Sequence, residues 1–376
     1  MKIAFCLYKY FPFGGLQRDC LKIIDVCHKR GNKIRVYTMQ WNDKIPEHIH
    51  VILIPVKAKT NHKKNDLFYN KVKKHLIKYP VDITIGFNKM PDLDIYYAAD
   101  ICYAEKVEKE KTFLYKLTKR YKHYIAYEKA VFHINSHTKL LMLTQQQIHD
   151  FKKHYKTPNK RFYILPPGVD INNKYNYKIL DAKKKFRKKN GIQEKDFLLL
   201  QVGSDFKRKG VDRTLKAIAN LPDILKNKTI LIVVGQDNPR SYKILAKKLN
   251  IEKQVLFFFG RTDINELMLS ADILVHPAHQ EAAGMVLIEA ITAGLPVITT
   301  EICGYAPYIK KANCGIVIDQ PYKQKKLNSA LINSLLNKSL LKKWSKSAFY
   351  FSYTQDLYSL PETAANIILN TDMLEI

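Results

Sequence analysis

One pattern limits what this chain can fold into more than any other: short apolar runs alternate with helical stretches, and the alternation starts twice. Lys2-Ile-Ala-Phe-Cys-Leu-Tyr8 has the unbroken apolar character of a buried strand. A helical period follows from about Leu16 to Lys29, with Leu21, Ile24 and Cys27 on one face and Gly31 as its stop. Strand patterns return at 33–38, 51–54, 82–86, 94–97 and 140–144. Strands buried on both faces and joined through helices belong to parallel sheets. The rhythm breaks at Phe162-Tyr-Ile-Leu-Pro-Pro-Gly168, where a turn leads into a lysine-rich stretch. It then restarts at 197–202 and continues at 229–234, 255–259, 272–275, 296–299 and 315–318, with helices such as 211–221 between. The fold class is therefore α/β: two Rossmann-like, doubly wound parallel-sheet domains, 1–166 and 167–354, facing across a cleft. The last segment, 355–376, reads as a helix from about Thr354 to Ile368 that packs back on the first domain. A chain of 376 residues also exceeds what one core usually supports. Ligands of such sheets bind outside the carboxyl ends of the strands.

Composition removes several classes of function. No apolar run approaches the roughly 18 to 20 residues of a spanning helix. The N-terminal apolar run is too short for a signal peptide and enters Pro12-Phe-Gly-Gly15 instead of a small-residue cleavage site. These features predict a protein in the cytoplasm or on the cytoplasmic face of a membrane. The cysteines, Cys6, Cys20, Cys27, Cys102, Cys303 and Cys314, are scattered and form no Cys-x-x-Cys pair, which predicts buried free thiols. No histidines show His-Glu-x-x-His spacing. The formal net charge of +29 suits an anionic partner, but a general lysine bias explains it equally, so only local clusters carry information. No zinc, RNA-sheet or helix-turn-helix signature supports nucleic-acid binding.

The most informative local stretch is His276-Pro-Ala-His-Gln-Glu281-Ala-Ala-Gly284-Met-Val-Leu-Ile-Glu289. A short strand at 273–275 leads into a loop, and Gly284 opens an apolar helix that ends near Gly294 and Pro296. Glu281 precedes this helix and Glu289 lies inside it. Helical side chains lean toward the N-terminus, so both carboxylates can face one molecule there. Free N–H groups at the helix start suit a phosphate. A phosphate flanked by carboxylate acceptors describes a nucleotide-sugar. Arg208 and Lys209 follow the 197–202 strand and suit a diphosphate, although on this chain a basic pair is also ordinary surface. Arg261 follows the 255–259 strand beside Gly260 and is a weaker candidate for the nucleoside end. In the first domain, Gly14-Gly15 occupies the turn between first strand and first helix, without a Gly-x-Gly-x-x-Gly fingerprint. Asp19, one turn into that helix, reads on the residues alone as an acid favoured by the helix dipole.

Glu281-Ala-Ala-Gly-Met-Val-Leu-Ile-Glu289 resembles the Glu-x7-Glu motif of retaining glycosyltransferases with the GT-B fold, glycosyltransferase family 4. The stretches 4–19, 86–91, 99–107, 203–206 and 353–361 are similar to the bacterial lipopolysaccharide core glucosyltransferases, and the likeness runs over essentially the whole chain. The resemblance implies transfer of glucose from UDP-glucose to inner-core heptose of lipopolysaccharide, with an alpha linkage. It implies that Glu289 binds the ribose and Glu281 the donor sugar. The backbone of Ala283, Gly284, Met285 and Val286 would hold phosphate and sugar, with Gly15 opposite, while Arg208 and Lys209 neutralise the leaving diphosphate. It moves Asp19 to the acceptor side, with Asp100 as a second candidate there. No cofactor or metal is implied if the two cations do that work. Another UDP-hexose, another acceptor, or a UDP-sugar epimerase on the same fold are the alternatives.

The cluster Lys111-Thr-Phe-Leu-Tyr-Lys116-Leu-Thr-Lys119-Arg120-Tyr-Lys122-His-Tyr124 carries no acid. Leu114, Leu117, Tyr121 and Tyr124 recur at helical spacing. A basic, aromatic amphipathic helix can lie on an anionic bilayer; a helix packed on its own sheet with a solvated basic face has the same pattern. With a lipid-borne acceptor, the expectation is a monomer held peripherally at the inner membrane through Lys111, Lys116, Lys119, Arg120 and Lys122.

Overall fold

The computed structural model describes residues 1–12, 14–170, 179–261 and 263–369, with backbone alone over 179–182. The chain divides into two compact units. Unit 1 is Met1–Gly168 with Ser359–Ile376, and unit 2 is Val169–Tyr358.

Unit 1 begins β1 (Lys2–Cys6), α1 (Gly15–Lys29), β2 (Lys33–Thr38), β3 (Ile49–Leu53), α2 (Asn61–Lys78), β4 (Ile83–Gly86) and β5 (Ile95–Ala98). It continues α3 (Tyr103–Glu110), α4 (Lys119–Phe132), β6 (Lys139–Met142), α5 (Gln145–Tyr155) and β7 (Phe162–Ile164). The strands form one sheet in the order β3-β2-β1-β4-β5-β6-β7, with every pairing parallel. Its direction of winding reverses between β1 and β4, which is where an open parallel sheet leaves a crevice at its carboxyl end.

Unit 2 runs α6 (Ile179–Lys189), β8 (Phe197–Val202), α7 (Val211–Ala219), α8 (Asp223–Lys226), β9 (Thr229–Val234), α9 (Arg240–Lys248), β10 (Val255–Phe258), α10 (Ile264–Ser270) and β11 (Ile273–His276). It ends α11 (Met285–Thr292), β12 (Val297–Thr300), α12 (Ala306–Ala312), β13 (Gly315–Ile318), α13 (Gln324–Leu336) and α14 (Lys338–Thr354). The sheet order is β10-β9-β8-β11-β12-β13, again parallel throughout, with the reversal between β8 and β11. Leu199, Leu231, Val233, Ile273, Val275 and Ile298 lose essentially all exposure in this sheet. Burial at roughly 1.5–3 kcal/mol for each such side chain holds the layers together.

The chain then returns to unit 1 as α15 (Leu360–Leu369), which packs against α1. Leu360, Ala364, Ala365 and Ile368 are buried there. Arg30 at the end of α1 donates to Glu362 and to Asn366, each at 2.6 Å.

Three expectations about elements need correction. The segment 354–368 is not one helix: α14 stops at Thr354, Asp356 accepts from the Tyr358 backbone N–H at 3.0 Å, and Pro361 stands in the first turn of α15. Proline suits a helix start because its missing N–H leaves no bond unmade there. The basic segment 111–124 is not one helix either. A 3-10 turn, Phe113–Leu117, precedes α4, and Thr118 caps α4 by accepting from the Tyr121 N–H at 3.1 Å. Finally, the strand read at 273–275 extends to His276. The six cysteines are free and buried.

Candidate active site

The sheet order of unit 2 explains why residues distant in sequence meet. β8 and β11 lie side by side at the reversal, so the loops leaving their carboxyl ends are neighbours. The first loop, Gly203–Gly210, carries Arg208 and Lys209; the second, Pro277–Gly284, carries Glu281. A backbone bond joins the loops, His279 N–H donating to Arg208 O at 2.8 Å, and the side-chain amide of Gln201 inside β8 holds the first loop by donating to Lys209 O at 2.8 Å. Gly210 starts α7 at φ +74°, and a Cβ there would meet Pro277 O at 2.1 Å. Only glycine allows this close approach of the two loops.

Glu281 is the centre of the site. Its side chain keeps only 9% of its exposure. Arg208 Nη1 stands 3.3 Å from Oε1, and Lys209 Nζ bonds Oε2. Arg208 is shared, since its Nε also lies 3.3 Å from Asp205 Oδ2. His276 Nε2 is 3.6 Å from Glu281 Oε2. Burial by itself would raise the Glu281 carboxyl, but the nearby His276 imidazole and the Lys209 and Arg208 charges outweigh it and hold it well below the usual carboxylate range. Glu281 is thus ionised and clasped by the two cations assigned above to a diphosphate.

The stretch after Glu281 is pinned. Glu281 bridges Cys303, and Ala283 O accepts from Tyr305 N–H at 2.7 Å. Gly284 then takes φ +89°, capping α11, and a Cβ there would come 3.3 Å from Glu281 Cγ. Ala283, Gly284 and Val286 are buried, Met285 is half-buried, and Glu289 is half-buried a turn further along α11. Arg261 is occupied within its own loop, forming a two-point ion pair with Asp263 and lying 5.0 Å from the Phe258 ring centroid.

In unit 1, Gly15 is the first residue of α1 and is exposed, with no atom of the described residues within 4 Å of where its Cβ would stand. Asp19 is not the exposed dipole partner that its position alone suggests. It is buried to 8% exposure and accepts from Tyr97 Oη, at the end of β5, at 2.7 Å. Asp100 is exposed just beyond β5. Its segment is fixed from beneath by Glu128 of α4, which is fully buried. Glu128 accepts from Lys89 at 2.5 Å, Tyr155 Oη at 2.7 Å, and the Tyr103 and Ala104 N–H groups at 2.8 and 2.9 Å. Lys89 also donates to Ile101 O at 3.0 Å. His276, Tyr97 and the Lys89–Glu128 pair escaped the sequence reading. Their signal was faint: polar residues ending apolar runs.

Lys111, Lys116, Lys119, Arg120 and Lys122 are exposed, and so are Phe113 (75%), Leu114 (72%) and Leu117 (62%). Tyr121 and Tyr124 turn inward instead, against Tyr103.

A family model, group 1 glycosyl transferases, matches residues 182–350. The lipopolysaccharide glucosyltransferase WaaG of Escherichia coli (strain K12) is 55% identical over 368 residues, covering 98% of each chain. The crystal structure of WaaG, a glycosyltransferase involved in lipopolysaccharide biosynthesis, superposes with a TM-score of 0.95 at 55% identity, over 97% of this chain and 99% of that one. Anabaena Alr3699/HepE in complex with UDP-glucose shares the fold at a TM-score of 0.75 and 18% identity, over 99% of each chain.

Proposed function

Because the chain belongs to the lipopolysaccharide glucosyltransferase family within the group 1 glycosyl transferases, we infer that it is a hexosyltransferase of lipopolysaccharide core assembly, moving glucose from UDP-glucose to an inner-core heptose. The observation that carries the reading is the buried Glu281 carboxylate clasped by Arg208 and Lys209 at the loop that opens α11. A diphosphate is the stronger acceptor for both cations. Its arrival draws Arg208 and Lys209 from Glu281 and releases the carboxylate to a hydroxyl of the donor sugar. Glu289 takes the ribose hydroxyls, and the N–H groups of 283–286 take phosphate and sugar. Arg261 lies toward the nucleoside end.

Transfer proceeds with retention. The bond from the anomeric carbon to the β-phosphate oxygen breaks as charge grows on the diphosphate, where the two side-chain cations stand in place of a divalent metal. The acceptor hydroxyl oxygen forms the new bond on the same face, and its proton passes to the departing phosphate oxygen. Asp19, oriented by Tyr97, stabilises the positive charge at the anomeric carbon, with Gly15 leaving room for the donor and Asp100 on the acceptor side.

The acceptor is lipid-borne, and the exposed Phe113, Leu114 and Leu117 among Lys111, Lys116, Lys119, Arg120 and Lys122 suit the cytoplasmic face of the inner membrane. No helix among the described residues is long and apolar enough to cross a membrane.

The test is turnover of UDP-glucose, UDP-galactose and UDP-N-acetylglucosamine with heptose-terminated lipopolysaccharide, reading the product linkage by NMR. An alpha-glucosyl heptose is expected. Product formed from a UDP-sugar without acceptor would instead identify an epimerase.

A further inference from the structure

Beneath Glu281 stands a side chain to which the transfer chemistry gives no task. His276 ends β11 with no exposed surface, and among the described residues neither ring nitrogen has a hydrogen-bond partner. Leaving a buried polar group unsatisfied is costly, so a leucine would serve the core better at this position. The ring is not there by looseness of the backbone. His276 O accepts from Thr299 Oγ1 and from the Ala278 N–H, each at 3.0 Å, which fixes the end of the strand. Burial, then the Lys209 and Arg208 charges, outweigh Glu281 and lower the imidazole, so near neutral pH the ring is uncharged and has one N–H to give.

Position decides where that N–H goes. Nε2 faces Glu281 Oε2 at 3.6 Å, and Oε2 is the oxygen that Lys209 holds. Closing to an ordinary bond of about 2.9 Å needs a movement of less than about 1 Å. When Lys209 turns to a diphosphate, Oε2 loses its cation while remaining buried, and an unpartnered buried carboxylate is strongly disfavoured.

We propose that His276 is a positioning residue for the donor sugar, its Nε2–H taking over Glu281 Oε2 as Lys209 moves to the diphosphate, so that Oε1 keeps one orientation toward a hexose hydroxyl. This rests on the donor reading above. It separates two tasks in one loop, since the cations handle the diphosphate and the imidazole governs only the sugar end.

The experiment compares His276→Leu and His276→Gln in the full chain, measuring glucose transfer to heptose-terminated lipopolysaccharide, the UDP-glucose to UDP-galactose preference, and UDP affinity by calorimetry. For His276→Leu, kcat/KM should fall about ten- to hundredfold, the size of one hydrogen bond to a charged group. The sugar preference should shrink by a similar factor while UDP affinity stays within about twofold. His276→Gln, whose amide N–H reaches the Nε2 position, should restore most of both. Unchanged transfer and preference in His276→Leu, or a loss of UDP affinity equal to the loss of transfer, would overturn the proposal. Should His276→Leu fail to fold, His276→Gln is set against His276→Asn, whose shorter amide falls short of Glu281. Gln above Asn in transfer is then expected, and equality overturns. A wild-type protein that transfers no UDP-hexose overturns the donor reading and this proposal together, whereas wild-type transfer with an indifferent His276 overturns this one alone.

Discussion

Lys209 and Glu281 form an ion pair that little water reaches. Lys209 has 12% of its side-chain exposure and Glu281 has 9%. Removing either partner strands the other. Lys209→Met should therefore lower kcat about 10²- to 10³-fold, the scale for losing one preorganised group that stabilises leaving-group charge, and steady-state transfer assays check it. Lys209→Arg should recover only part, because a planar fork cannot take the place of a compact ammonium between Glu281 and a phosphate. Residues 208, 209 and 281 stood out in the sequence by type and by their place after strands, although a basic pair on this chain reads equally as surface. Their proximity was not legible, because adjacency of β8 and β11 is a property of sheet order. Nor was His276, whose meaning lies in two bonds it does not make.

At the scale of elements, α4 acts through one residue. Glu128 satisfies both the buried Lys89 and the first N–H groups of α3, so one carboxylate ties β4, α3, α4 and α5. Glu128→Ala should cost about 3–5 kcal/mol in denaturant unfolding, the range for breaking a buried pair from one side. The double replacement Glu128→Leu with Lys89→Met should cost less than the single, because no charge is left behind. A second tie has a pH signature. Glu105 on α3 meets Lys153 at 2.8 Å, His154 at 2.6 Å and Lys109 at 3.0 Å. Burial opposes these partners, yet they lower its carboxyl from 4.5 to about 2. A folded-state value below the unfolded one stabilises fully above about pH 4.5 and is lost as pH falls toward 2. Glu105→Gln should therefore narrow the stability difference between pH 7 and pH 3 in urea titrations. Strand boundaries were legible to within about two residues where burial sets them, except that β7 lies in the stretch read as the break between domains. Helix boundaries were not legible where a single cap sets them: apolar spacing ran evenly across 113–124, and only Thr118 marks the break.

For the whole molecule, the exposed apolar and basic groups of 111–122 predict an electrostatic surface attachment. Near an anionic bilayer each basic residue contributes about 1 kcal/mol. Replacing Lys116, Lys119, Arg120 and Lys122 with glutamine should therefore weaken sedimentation with anionic vesicles by two to three orders of magnitude, roughly, and the loss should be mimicked by high salt. Unchanged co-sedimentation would return those lysines to the general bias of a +29 chain. The two-sheet plan was legible because buried parallel strands are nearly unbroken apolar runs and Pro-Pro-Gly168 punctuates them. Strand order was not legible, since the apolar runs are nearly interchangeable in composition. The return of α15 to α1 has a consequence for how the chain is made. Unit 1 is written in two instalments, with all of unit 2 between them. While a ribosome synthesises the second sheet, the apolar side of α1 waits for Leu360, Ala364 and Ile368. The first domain begun is therefore the last one finished, and a nascent chain halted before α15 would present that uncovered helix to chaperones and proteases.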